Sequence, residues 1–175
     1  KRQEKLLITH WFAPPHIIPL VEVVSEKETN PEIVDKVIEY LKEIGKTPVH
    51  IKKYVPGFIV NRIQGFCSQD MFWMVENGYA TIEDIDKAVK ASLALRMPIL
   101  GLLQAYDFAG LDSLVKIRNQ THLKPEWKQG ASQILLDKVE KGEFGVKTGK
   151  GLYDYAGQSE VEILRRRDNN LIKML

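Results

Sequence analysis

His10 and Glu22 are the residues of this sequence whose types and places could carry acid–base chemistry. His10 follows the apolar run Leu6-Leu7-Ile8-Thr9 and leads into the loop Ala13-Pro14-Pro15-His16, where side chains often face a cleft. Imidazole titrates near neutrality, which suits a general base. Glu22 interrupts the otherwise apolar stretch Leu20-Val21-Glu22-Val23-Val24. A carboxylate buried there is costly unless paired, and a histidine is a natural partner. Two arrangements remain open. Either the two form a dyad, or Glu22 lies on a solvent-facing edge and His10 is an ordinary loop residue. Asn61, inside Phe58-Ile59-Val60-Asn61-Arg62, poses the same choice. A buried amide must find partners, so it is a structural clamp or a substrate contact.

Other chemistries find less support. His10, His16, His50 and His122 have no metal-ligand spacing, and Cys67 is the single cysteine, so no metal site and no disulfide framework is expected. The loop Gly145-Val146-Lys147-Thr148-Gly149-Lys150-Gly151 fails as a phosphate-binding loop. Three residues rather than four precede Gly149-Lys150, and Gly151 replaces the required hydroxyl residue. No G-x-G-x-x-G occurs either. The 25 basic and 23 acidic residues give a net charge of +2, with Arg165-Arg166-Arg167 the one basic run. That run reads as a solvated helix face, and no nucleic-acid partner is expected. No apolar run reaches the roughly 20 residues of a membrane span, so no membrane partner is expected. With one cysteine and no signal-peptide core, the setting expected is cytoplasmic.

The elements that must position these residues follow from the patterning of the 175 residues, 44% of them hydrophobic. Leu6–Thr9, Leu20–Val24 and Pro48–Ile51 read as strands. Between the second and third, a helix starts at the cap candidates Thr29 and Asn30, with a Thr29-x-x-Glu32 capping box and Pro31 in its first turn, and Gly45 closes it. After Pro56-Gly57 the pattern turns helical: a long apolar helix to Asn77-Gly78, one capped by Thr81-x-x-Asp84, one over 100–120 and one over 127–141. A glycine-lysine loop and a polar terminal helix follow, and the domain boundary falls at Tyr54–Pro56.

Several stretches resemble, in order and spacing, the NAD-dependent 3-hydroxyacyl-CoA dehydrogenase family. They are Thr9-His10-Trp11-Phe12-Ala13-Pro14, Pro19-Leu20-Val21-Glu22-Val23-Val24 and Pro56-Gly57-Phe58-Ile59-Val60-Asn61-Arg62. The stretches from Gly78 to Asp86 and from Gly145 to Tyr155 resemble its helical segments. The resemblance implies a mainly α chain. An all-helical dimerisation domain over 55–175 would follow the last strands and helix, over 1–54, of an incomplete α/β Rossmann domain. The dinucleotide fingerprint and a family serine would lie upstream of Lys1.

By the same resemblance, His10 is the general base, Glu22 fixes its tautomer, and Asn61 lies near the substrate. The cofactor is NAD and the substrate an acyl-CoA, with a homodimer through the helical domain. Ala13 departs from the family, which usually has asparagine there, and removes a polar group beside His10. The stretch Pro14–Glu22 is also similar to the L-gulonate dehydrogenase branch. That makes a small hydroxy acid or a carnitine-like alcohol the alternative substrate. A third reading is a helical dimerisation module that has no catalysis as an isolated chain.

Overall fold

The strand Leu20–Val24 is apolar on both faces, and such a strand needs cover on each side. The computed structural model, which describes residues 2–109, 132–155 and 157–174, places it at the centre of a three-stranded sheet. β1 (Ile8–Trp11) runs antiparallel to β2 (Leu20–Val24), and β3 (Thr47–Ile51) runs parallel to it. The crossover between the parallel strands is α1 (Pro31–Glu43). Side chains alternate along a strand, so Val21 and Val23 share one face of β2 and Glu22 takes the other. Val21 and Val23 pack with Val34 and Leu41 of α1, flanked by Leu7, Val37 and Ile38. Glu22, beside them in sequence, is 1% exposed.

Local chemistry sets the ends of α1. Of the two cap candidates, the cap is Asn30, whose side chain accepts the Glu32 N–H, and the Thr29 capping box does not form. Thr29 instead donates its hydroxyl to the Leu6 carbonyl, tying the helix entry to the segment before β1. Gly45, at φ +77°, reverses the chain, so Lys46 N–H reaches back to the Leu41 carbonyl.

The remaining elements are α2 (Val60–Glu76), α3 (Ile82–Ala91), α4 (Leu93–Leu100), α5 (Gln104–Ala109), α6 (Gln133–Glu140) and α7 (Glu160–Ile172). The helix expected over 100–120 is broken at its start. α4 ends at Leu100, Gly101 has φ +68°, and α5 begins at Gln104. Residues 110–131 lie outside the described ones, and with them the end of that helix and the start of the one expected over 127–141. Two compact units emerge, Lys1–Phe66 with Gly157–Leu175, and Cys67–Ala156.

The expected fold class, a mainly helical chain carrying only a remnant of an α/β layer, is corrected by this arrangement. Among the described residues, helices hold far more of the chain than strands do, but burial is concentrated in the sheet and α1. Patterning by length favoured the helices. The described buried hydrophobic side chains gather mainly around the mixed sheet, so the chain is α/β with additional helices.

Candidate active site

β1 and β2 pair so that His10 lies directly opposite Glu22. Directly opposed residues of an antiparallel pair point to the same face of the sheet. The twelve-residue step in sequence therefore becomes a contact, with His10 Nδ1 2.7 Å from Glu22 Oε2. The other carboxylate oxygen, Oε1, accepts the backbone N–H groups of Ile59 at 2.9 Å and Val60 at 3.1 Å. Glu22 is thus buried with both oxygens engaged, by an imidazole and by the start of a helix. Unpaired helix-end N–H groups favour an anion, which helps offset the desolvation of the carboxylate. With Nδ1 bonded to Glu22, the second ring nitrogen, Nε2, is left to exchange a proton with a ligand. The half-buried His10 is 23% exposed by side chain.

Two rings flank that imidazole. Phe12 meets it edge-on at 4.6 Å between centroids, and Phe58 lies at 4.7 Å with the planes 33° apart. Tyr54 in turn meets Phe58 at 6.0 Å. The loop after β1 contains a cis Ala13–Pro14 bond. It is tied down by Lys46, whose ammonium donates to the Pro15 and Ile18 carbonyls and lies 5.6 Å from the Trp11 ring centroid.

Of the three residues singled out from sequence, the structure brings His10 and Glu22 together. Asn61 stands one residue beyond the second amide on Glu22 and is exposed, so the premise of a buried asparagine does not hold. Sequence reading missed the Ile59 and Val60 amides and the two phenyl rings. The signal for the amides was present: Pro56-Gly57 announces a turn, and the first N–H groups of any helix seek an acceptor. Gly57 is required there. It has φ +79°, and a Cβ would come within 3.2 Å of the Arg62 backbone nitrogen.

The glycine-lysine loop satisfies its own polar groups. Thr148 Oγ1 accepts the Phe144 N–H and faces the carbonyls of Gly145 and Lys150. Glu143 bridges Lys138 and Lys150, which hold its carboxyl below the usual range; the same bridge raises the Lys150 ammonium. Tyr153 donates to Asp86 at 2.9 Å, and that bond pushes its phenol up to about 12. Among the described residues, no group of three or more His, Cys, Asp and Glu gathers as a metal site, and no helix is long and apolar enough to cross a membrane.

Residues 1–54 match the NAD-binding domain of 3-hydroxyacyl-CoA dehydrogenase, and residues 57–155 match its C-terminal domain. The first of these matches completes the correction to the fold, because the chain is more than a C-terminal portion. An L-carnitine dehydrogenase of Streptomyces griseus is 37% identical over 98% of this chain and 51% of its own length. A 3-hydroxybutyryl-CoA dehydrogenase of Mycobacterium tuberculosis is 35% identical over 89% of this chain and 54% of its own. The crystal structure of an NAD+-dependent 5-formyl-3-hydroxy-2-methylpyridine 4-carboxylic acid 5-dehydrogenase superposes with a TM-score of 0.89 at 29% identity, covering 98% of this chain and 55% of that one. The chain spans about half the length of these relatives.

The family's cofactor is NAD. The strand-to-helix turn described here does not fit its pyrophosphate. The turn from β2 to α1 has no glycine, and the entry to α1 is taken by the Asn30 side chain and Pro31. What these residues furnish is the proton-handling pair. Two family matches that together span most of the sequence, around a histidine bonded to a buried glutamate, place this chain in the 3-hydroxyacyl-CoA dehydrogenase family.

Proposed function

We propose that this chain supplies the acid–base and helical portions of a dehydrogenase that oxidises the 3-hydroxyl of an acyl-CoA thioester. The observation that carries this reading is the 2.7 Å bond between His10 Nδ1 and buried Glu22. It leaves Nε2 as the base that takes the hydroxyl proton, while Glu22 holds the ring in that tautomer and stabilises the imidazolium formed. Asn61, on the first turn of α2, is the polar group that steadies the substrate. NAD supplies the hydride acceptor. Residues 1–54 serve the cofactor side, and residues 55–175 complete the site and pair with a second copy. The 175-residue chain alone is expected to bind NAD weakly and to be inactive.

A second substrate class is favoured by two observations. Ala13 puts a methyl group where the family usually has an amide. The chain also superposes on a pyridine-carboxylate dehydrogenase with a TM-score of 0.89. A small hydroxy acid or carnitine-like alcohol would suit a site with that loss.

In the complete enzyme, His10→Gln or Glu22→Gln should cut turnover by roughly 10²–10⁴ and spare NAD binding, the usual worth of a general base. Near-normal turnover in His10→Gln removes the base assignment. Parallel assays with 3-hydroxybutyryl-CoA and L-carnitine separate the substrates, and a rise in acyl-CoA turnover on Ala13→Asn favours the first. Calorimetry showing micromolar NAD binding by the 175-residue chain would overturn the account of where the cofactor is held.

A further inference from the structure

Phe58 is the one non-glycine among the described residues with a positive φ, at +51°. A bulky side chain is uncommon in that region, and such strain survives only where its surroundings enforce it. Asparagine or glycine would hold the same turn more easily. The sequence nevertheless keeps a phenyl ring there, and that ring lies against His10 at 4.7 Å, tilted by 33°. The backbone has a second consequence. Phe58 N–H bonds the Val55 carbonyl at 2.9 Å, and Arg62 N–H reaches back to Gly57 at 2.9 Å, which locks the turn. The next two N–H groups, of Ile59 and Val60, then converge on one oxygen of Glu22.

We propose that Phe58 is the positioning residue of the His10–Glu22 pair. Its ring fixes the plane of the imidazole, and its left-handed backbone aims the amides that fix the carboxylate. One residue thereby sets both partners. Phe12, edge-on at 4.6 Å, closes the other side of the imidazole, and Tyr54 buttresses Phe58 from behind. When His10 takes a proton, the face of the Phe58 ring is also where a positive charge is best received. This deepens the reading of His10 as the base and rests on it for its functional meaning, but its test does not need turnover.

The test is imidazole nitrogen magnetic resonance on the labelled 175-residue chain, with the His10→Gln spectrum identifying the His10 signals. The chain itself and Phe58→Tyr should show one tautomer, protonated at Nδ1, with that proton slow to exchange. Phe58→Leu, which keeps bulk but loses the ring, should show both tautomers and exchange about tenfold faster. Phe58→Gly removes the ring while relieving the backbone, so it decides the matter if the leucine variant does not fold. Both variants keeping one tautomer with unchanged exchange would overturn the proposal. So would loss of the single tautomer in Phe58→Tyr, where the ring remains. Full turnover in the complete His10→Gln enzyme would sink the base assignment and leave this result standing.

Discussion

The strand β2 and the pair α4–α5 are both mostly apolar in sequence and treat their side chains in opposite ways. Around β2, Val21 and Val23 are fully buried, and even the carboxylate between them is 1% exposed. Along α4 and α5, Ile99 is 79% exposed and Phe108 73%. Among the described residues, every buried hydrophobic side chain belongs to the first unit. A sheet fixes its side chains by register, so one strand can hold a buried carboxyl group at a defined place opposite its apolar face. Among its described residues, the second unit shows no comparable core. Burial is concentrated where the chemistry is proposed, and most described apolar side chains of α4 and α5 stay exposed.

The largest effect should come from breaking the first region. Glu22→Ala leaves two helix amides and an imidazole without their acceptor, and loss of one partner from a buried charged network costs about 3–5 kcal/mol. Denaturant unfolding of the chain followed by circular dichroism reads this directly, and a loss below about 1 kcal/mol would mean the network is replaced by water. The comparison sharpens with one substitution made in both regions. Leu41→Ala, in the core behind β2, should cost about 2–5 kcal/mol. Leu103→Ala, 81% exposed, should stay within about 0.5 kcal/mol. Equal costs would show that the exposed leucine is covered in solution.

That outcome bears on self-association. α2 has no fully buried residue, with Ile63 42% and Phe66 51% exposed. A homodimer through the helical region over 55–175 would place such surface in a self-complementary patch. Light scattering at micromolar concentration should give about twice 20.0 kDa, and Ile99→Glu should return the mass to one chain. A monomer without any substitution excludes the pairing.

What was legible in the sequence divides along the same line. The strand Leu20–Val24 and the helix closed by Gly45 were readable because local signals agreed with tertiary packing. Of the two caps readable there, Asn30 closes the helix start, and the Thr29 capping box does not form because its hydroxyl has a better long-range use on Leu6. The His10–Glu22 contact was readable only as one of two arrangements, since register is not written in either strand alone. Asn61 misled for a related reason: an apolar stretch suggests burial, but the helix it opens leaves that residue exposed. The role of Phe58 left no composition signal, because backbone angle is decided by its neighbours. Fold class was misjudged because helix counts outweigh a small sheet in length but not in burial.

The smallest effect tests whether the second unit holds a fixed structure in spite of its exposure. Tyr153 donates to Asp86 across 67 positions of sequence, a contact that exists only if α3 and the segment after the glycine-lysine loop keep their places. The bond favours the neutral phenol and pushes it from 10.0 up to about 12. Because the folded value is raised, the stability it contributes is complete below pH 10 and is lost as pH climbs toward 12. Tyrosinate absorbance should therefore show one of the six tyrosines ionising late, and Tyr153→Phe should remove that final step alone. Asp86→Asn should bring the same phenol back toward its ordinary range by removing the carboxylate that opposes its ionisation. If Tyr153→Phe leaves the curve unchanged, the contact does not persist in solution. The second unit would then lack the local order that the sheet imposes on the first.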